Sequence, residues 1–439
     1  MNDKNFFVLN RNCILIKGAL RGALYDLKTG NVFSIDETSM KILSRLNSGE
    51  DLFQTLRGID INQEKAVSYL NNLESQRLGY WKDVFERKEM LLPPDLNEVL
   101  KYVFHLELTT GCNLRCLHCY NESEISKKNL GNEPSSNHWK NAIGDACKMG
   151  SRRIQFIGGE PFLKRRLLFE FIPFACDVGY KSLEVSSNGT LMSDADFKVL
   201  KGRNVNLALS FYSYQSQIHD LITNKNGSWR KTLQTIRKSL DIGVNLRVSI
   251  VVMKQNKEDI DKTVEFLKSL GVKDVGSTTV EPAGRGCNEN LITADICKRQ
   301  VLSKPCFAKI YQNIFWRNRA GHNCFSEQIC IGADGAVYPC LAERQISFGN
   351  IRFASLNSIF SSDIAERFRN LSKDYVEVCR DCEYRYCCFD CRVKAKDFLD
   401  KDIHCKPWWC LYDPYTGKWR QGNNTEEGGD ENGKESGMP

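Results

Sequence analysis

Cys112-Asn113-Leu114-Arg115-Cys116-Leu117-His118-Cys119-Tyr120 sets three thiols in the spacing CxxxCxxC, directly after an apolar run, Val103 to Thr109, that reads as a strand. From Tyr102 to about Pro282 strands then alternate with helices, the pattern of parallel βα units. The further strands expected are Arg153 to Ile157, Ser182 to Ser186, Val205 to Ser210, Leu246 to Met253 and Asp274 to Val280. Helical segments such as Trp229 to Leu240 and Ile260 to Leu270 lie between them. A closed barrel of this kind needs about eight units, so the six counted here predict a partial TIM-like (β/α)6 barrel, open on one side to a bulky substrate such as a peptide. The cysteines follow its first strand, which puts them at the C-terminal rim where barrel active sites sit.

The rest of the 439-residue chain predicts further domains, three in all as a working number. Residues 1–85 read as a small α+β unit: Cys13 to Ile16, Ala23 to Leu27 and Val32 to Ile35 are short strands, the last two flanking the turn Lys28-Thr29-Gly30-Asn31. Asp36 can cap a helix carrying Met40, Ile42, Leu43 and Leu46 and closed by Gly49, and Val67, Leu70, Leu73 and Leu78 mark a second apolar face. Residues 86–101, with Pro93-Pro94, read as a linker and 102–304 as the barrel. Residues 305–420 are cysteine-rich with few apolar runs, so metal clusters are expected to hold them together. The tail 421–439 is expected to be disordered.

An apolar content of 41% suits well-filled cores, and no run is long and apolar enough to cross a bilayer. Met1 to Asn10 lacks a signal-peptide core, so the cytoplasm is the expected location and no membrane partner is expected. In a reducing compartment 19 cysteines point to metal rather than disulfides, and ten of them fall between 324 and 410. The formal net charge of +7 includes an acidic tail, with five acids against Lys434, but no Lys/Arg block or basic helix face accompanies it, so no nucleic-acid partner is expected.

Three thiolates can hold three irons of a 4Fe–4S cube and leave the fourth open to a ligand's amine and carboxylate. A structural zinc site wants four ligands, and His118 is the one nearby donor. The motif resembles that of the radical S-adenosylmethionine superfamily, and further stretches match in order. By that resemblance Gly158 and Gly159 admit backbone close to the cofactor amine, Glu160 contacts it, Ser187 and Asn188 in Ser186-Ser187-Asn188-Gly189-Thr190 contact the ribose, and Arg247 and Ser249 contact the carboxylate. Simple turn or core roles remain open for these residues, and neither Glu281 nor Asp334 is singled out as a catalytic acid or base.

The distal cysteines resemble the SPASM extension, which binds up to two auxiliary 4Fe–4S clusters in enzymes that modify peptides and proteins. Asp334 to Cys340 and Phe348-Gly349-Asn350-Ile351 add to the likeness. The resemblance implies one cluster on Cys379, Cys382, Cys388 and Cys405 and another on Cys324, Cys340 and Cys391. Cys330 as a fourth ligand, Cys387 in place of Cys388, and Cys410 in place of Cys405 stay open, as does a zinc ribbon over Cys379, Cys382, Cys388 and Cys391. Cys13, Cys147, Cys176, Cys287, Cys297 and Cys306 are read as core or surface thiols.

Residues 1–85 resemble the winged-helix-like precursor-recognition domain of peptide-modifying systems, through Leu24 to Leu27, the Gly30 turn and Phe33 to Thr38. Such a domain holds a leader peptide as an added strand. Together the resemblances imply a maturase that installs a side-chain cross-link (carbon–carbon, ether or thioether) in a ribosomally made precursor peptide, served by an electron donor such as flavodoxin or ferredoxin. Cross-linking removes two electrons overall, which gives an auxiliary cluster a task that epimerisation would not. A peptide epimerase, a sulfatase-type formylglycine maturase and a non-enzymatic iron–sulfur redox regulator are the competing readings.

Overall fold

The computed structural model describes residues 5–85, 91, 93, 103–124, 133–292, 309–322, 324–397 and 402–420. The expected tail, Cys297, Cys306 and most of the expected linker lie outside the described residues. None of the described helices is long and apolar enough to cross a membrane.

At the N-terminus β1 (Phe6–Leu9) pairs antiparallel with β5 (Gly79–Lys82), while β2 (Cys13–Lys17), β3 (Gly22–Asp26) and β4 (Asn31–Ile35) form a separate antiparallel sheet. The β3–β4 turn is built as its sequence demands: Asp26 accepts from Lys28 N at 3.1 Å and Thr29 Oγ1 at 2.6 Å, and Gly30 takes φ +77°. Asp36 caps α1 (Glu37–Asn47) by accepting from Ser39 N at 2.7 Å, a contact worth about 1 kcal/mol. Alternation along β3 then divides its side chains between two cores. Leu24 faces Ile42, Leu46 and Leu70, whereas Ala23 and Tyr25 face Phe315, Tyr384, Tyr386 and Cys387 of the C-terminal region. Main-chain bonds fasten the same junction, Ala19 N to Asp381 O at 2.7 Å and Ile310 N to Gly30 O at 2.8 Å.

The barrel strands are β6 (Val103–Glu107), β7 (Arg153–Ile157), β8 (Ser182–Ser187), β9 (Asn206–Ser210), β10 (Leu246–Val252) and β11 (Asp274–Thr279), parallel and adjacent in chain order. Ile154, Phe156, Leu183, Val185, Leu207, Leu209, Val248 and Ile250 share one core with the apolar faces of the helices between strands, including Trp139, Ile143, Leu168 and Phe171. The alternate positions, among them Gln155, Glu184 and Arg247, carry a polar layer on the opposite face of the sheet. This is the partial barrel that the six-unit count predicts.

The cysteine-rich region differs from its expected form. β12 (Gln328–Ile331) adds to the sheet parallel to β6, and β13 (Ala336–Tyr338) and β14 (Gly349–Asn350) continue it antiparallel, giving nine strands. Ile329, Ile331, Val337 and Phe348 are buried in the barrel's own core. Apolar packing therefore holds this region as well, through strands of two to four residues that are too short to show a period.

Candidate active site

The three motif cysteines occupy a loop leaving the C-terminal end of β6. Cys112 N donates to Glu124 O at 3.3 Å and Gly111 bridges Glu124, so 111–124 closes on itself. Leu114 N donates to Cys112 Sγ at 3.4 Å and Ser123 N to Cys119 Sγ at 3.3 Å, so main-chain dipoles already point at sulfur. Arg285, from beyond β11, staples this loop across the barrel mouth: its Nε donates to Cys116 O at 2.8 Å, its side chain reaches Ser123 O at 2.9 Å, and its own N–H reaches Cys119 O at 3.0 Å. Gly284 makes the approach possible, because a Cβ there would strike Tyr120 O. No motif in the sequence marks Arg285 for this role.

Cys112, Cys116 and Cys119 line one cavity of ≈ 250 Å³, and Gly158, Gly159, Ser187 and Asn188 line it too. Burial pushes the Cys112 thiol up to about 12 and the Cys116 thiol higher still, so loading metal must release their protons. The three thiols line the wall of one cavity. Thiolates spread around a cavity can each reach one iron corner of an iron–sulfur cube, with Asn188 Nδ2 3.7 Å from Cys112 Sγ. Asn188 is itself fixed, since its Nδ2 donates to Asn113 Oδ1 at 2.9 Å and its Oδ1 accepts from Thr190 N at 2.9 Å.

Three of the expected cofactor contacts, Glu160, Arg247 and Ser249, are not part of the lining of this cavity. Glu160 is fully buried behind the cavity wall and accepts from Ser187 Oγ at 2.9 Å, Asn188 N at 2.9 Å and Phe162 N at 3.1 Å. Burial pushes its carboxyl up to about 6, and the geometry makes it the organiser of the Ser187–Asn188 turn. Arg247 is the second residue of β10, at the end of the barrel away from the cysteines, where it grips both oxygens of Glu184 at 2.8 Å and donates to Ser249 Oγ at 2.8 Å. It lines a separate polar cavity of ≈ 340 Å³ with His105, Gln155 and Glu184. The two glycines also serve the protein's own backbone: a Cβ at Gly158 would lie 2.5 Å from Thr109 O, and one at Gly159 would run into Gly111 O.

The distal cysteines fall into two groups. Cys340 and Cys391 pack in one cluster, and burial together with their charges raises the Cys324 thiol; Gln328 Nε2 donates to Cys324 Sγ at 2.7 Å. The Cys382 thiol is raised by burial, by Glu383 and by both Cys388 and Cys379, the second group. Cys387 turns away to donate to Tyr384 O at 3.3 Å and accept from Tyr25 Oη at 3.4 Å, packed on the N-terminal sheet. Cys330 is buried in β12. Cys405, the expected fourth member of the second group, donates to Ala395 O at 3.3 Å and packs beside Trp409, whereas Cys410 packs against the same apolar cluster as Cys382 of that group. The geometry therefore favours Cys410 over Cys405. We expect Cys410→Ala to lower reconstituted iron by about four atoms per chain while Cys405→Ala retains it, measured by iron assay; the reverse pattern would restore Cys405.

Residues 106–267 match the Radical SAM superfamily, and residues 324–383 match the SPASM iron–sulfur cluster-binding domain. The chain is 28% identical over 305 residues to the antilisterial bacteriocin subtilosin biosynthesis protein AlbA of Bacillus subtilis, an alignment covering 66% of each chain. It is 27% identical over 339 residues to an AdoMet-dependent heme synthase of Methanosarcina barkeri, covering 68% of this chain and 94% of that one. Streptococcus suis SuiB, solved bound to precursor peptide SuiA, shares the fold at 12% identity with a TM-score of 0.54, over 92% of this chain and 99% of SuiB.

Proposed function

Because the chain belongs to the radical SAM superfamily and carries a SPASM domain, we propose that it is a maturase that closes a side-chain cross-link in a ribosomally made precursor peptide. The observation that supports this most is the extent of the fold it shares with SuiB, 92% of the chain, which takes in the N-terminal sheet as well as the barrel and the cysteine-rich region. The likeness to AlbA points to the same substrate class.

When bound, the cofactors supply hydrogen-atom abstraction through one-electron cleavage of S-adenosylmethionine and an acceptor for one electron. Cys112, Cys116 and Cys119 would hold the first cluster, with the Gly158–Gly159 main chain, Ser187 and Asn188 beside the cofactor. Glu281 also lines the cavity; one carboxylate oxygen pairs with Lys394 Nζ at 3.0 Å, and the other is buried without a hydrogen-bond partner. It is placed to receive the proton that leaves when a cross-link closes. Lys394 stands three residues after Cys391, so the same ion pair ties the cavity to the Cys324, Cys340 and Cys391 group.

β4 pairs with β3 alone among the described strands, which leaves an edge that a leader peptide can extend. Removing the leader from the precursor is expected to cut peptide modification at least tenfold, while cleavage of S-adenosylmethionine continues uncoupled. Product quantification by liquid chromatography and mass spectrometry tests this, and equal modification of the leaderless peptide would count against it. The alignment with the heme synthase supports a second reading, modification of a tetrapyrrole. An iron porphyrin altered under the same conditions, with the peptide untouched, would favour that reading.

A further inference from the structure

Between the two distal cysteine groups lies a cluster of charge that the cross-linking account leaves without a task. Asp390, with a side chain 1% exposed, accepts from Lys373 Nζ at 2.8 Å and from His322 Nε2 at 2.9 Å, and also pairs with Arg392. Lys373, His322 and Arg392 are likewise buried, at 4%, 1% and 0%. Cys324 N and Phe325 N both donate toward His322 Nδ1, at 3.2 and 3.4 Å, so the ring's proton sits on Nε2 and the imidazole is neutral. Two cations then face one anion, and Arg392 Nε is buried with no hydrogen-bond partner. An excess of buried positive charge is costly unless an anion lies beside it. A cluster bound by thiolates is such an anion, and Lys373 Nζ stands 3.8 Å from Cys388 Sγ.

The reach of the charges is uneven. Lys373 Nζ stands 3.8 Å from Cys388 Sγ of one group, while Asp390 lies in the chain between Cys388 and Cys391 and so borders both groups. Glu281 of the cavity wall pairs at 3.0 Å with Lys394, three residues after Cys391, which marks the Cys324, Cys340 and Cys391 group as proximal to the reaction and the Cys379, Cys382 and Cys388 group as distal.

We propose that the Lys373–Asp390–Arg392 node is an electrostatic bias between two auxiliary clusters, with Lys373 stabilising the reduced form of the distal one so that an electron received at the proximal group runs outward. Positive charge beside a cluster favours the added electron and raises its potential; the shared carboxylate of Asp390 lowers the potential of both. Lys373 is a positioning residue in this scheme, since it contacts no substrate. The placement of charge stands whatever bond the enzyme forms, and only the use of the outward electron rests on the cross-linking reading.

The test is a potentiometric titration followed by electron paramagnetic resonance on the full chain, reconstituted with iron and sulfide. Replacing Cys112, Cys116 and Cys119 with alanine leaves only the auxiliary signals. Lys373→Met is expected to lower the reduction constant of the distal cluster at least tenfold, about 59 mV for one electron, and to move the proximal cluster by less than half as much. Lys373→Arg should restore the original value, and Asp390→Asn should raise both potentials. If Lys373→Met loses distal iron, the sign of the Asp390→Asn shift decides. A shift of the same sign in Lys373→Met and Asp390→Asn, unchanged potentials in both, or a single auxiliary signal in the parent chain would overturn the proposal.

Discussion

Replacing Cys112, Cys116 and Cys119 together with alanine is expected to abolish formation of 5′-deoxyadenosine, a loss of at least about a thousandfold, while iron at the distal cysteines is retained. The loss should be complete because the described cavity offers no other cysteine: its lining includes these three thiols and His118, whose ring is held neutral by burial and turned against Tyr212. The distal iron should survive because the loop's closure does not depend on sulfur, although Leu114 N and Ser123 N lose their sulfur acceptors. Its closure comes from the Gly111–Glu124 bridge and the Arg285 contacts, all of them main-chain or guanidinium bonds that alanine leaves in place. The distal groups also have their own supports in β12, β13 and the N-terminal sheet. Chromatographic assay of 5′-deoxyadenosine, with iron content measured on the same samples, reads both halves. Retained cofactor cleavage would remove the assignment of this loop as the radical site.

The second large effect is expected at Cys391. Its thiol belongs with Cys324 and Cys340, and it sits beside the Lys394–Glu281 pair that reaches the cavity. A cross-link formed without oxygen insertion releases two hydrogens from the peptide, one as an atom and the other as a proton and an electron. If that electron leaves through the proximal group, Cys391→Ala should still cleave S-adenosylmethionine but yield at least tenfold less linked peptide per cofactor consumed. The ratio of linked peptide to 5′-deoxyadenosine is the quantity to measure. An unchanged ratio would show that the electron takes another route.

Much of this site was legible because its parts are short and contiguous. The cysteine spacing, Gly158-Gly159 and Ser187-Asn188 each declare themselves within a few residues, and the strand pattern places all of them at one rim of the barrel. Arg285 was not legible in the same way: its partner Cys116 is 169 positions away, and nothing local to either marks the contact. Arg247 lies on the expected strand but lines a cavity separate from that of the cysteines. A residue at the start of a parallel strand faces the end of the barrel opposite the C-terminal rim, so its position within Leu246–Val252 carried the answer. Glu160 shows a different limit, since a carboxylate beside two glycines reads equally as a ligand contact or as the cap it turns out to be for Pro161–Lys164. The choice between Cys405 and Cys410 depends on how Trp409 and Ala395 pack, which spacing cannot express.

The intact mass of the precursor peptide after incubation with enzyme, S-adenosylmethionine and reductant tests the central claim most directly. A cross-link predicts a decrease of about 2 Da per link, with fragmentation suppressed between the joined residues and roughly one cofactor consumed per link. A product of unchanged mass that carries deuterium from solvent at an α-carbon would show that the enzyme is an epimerase and contradict the account.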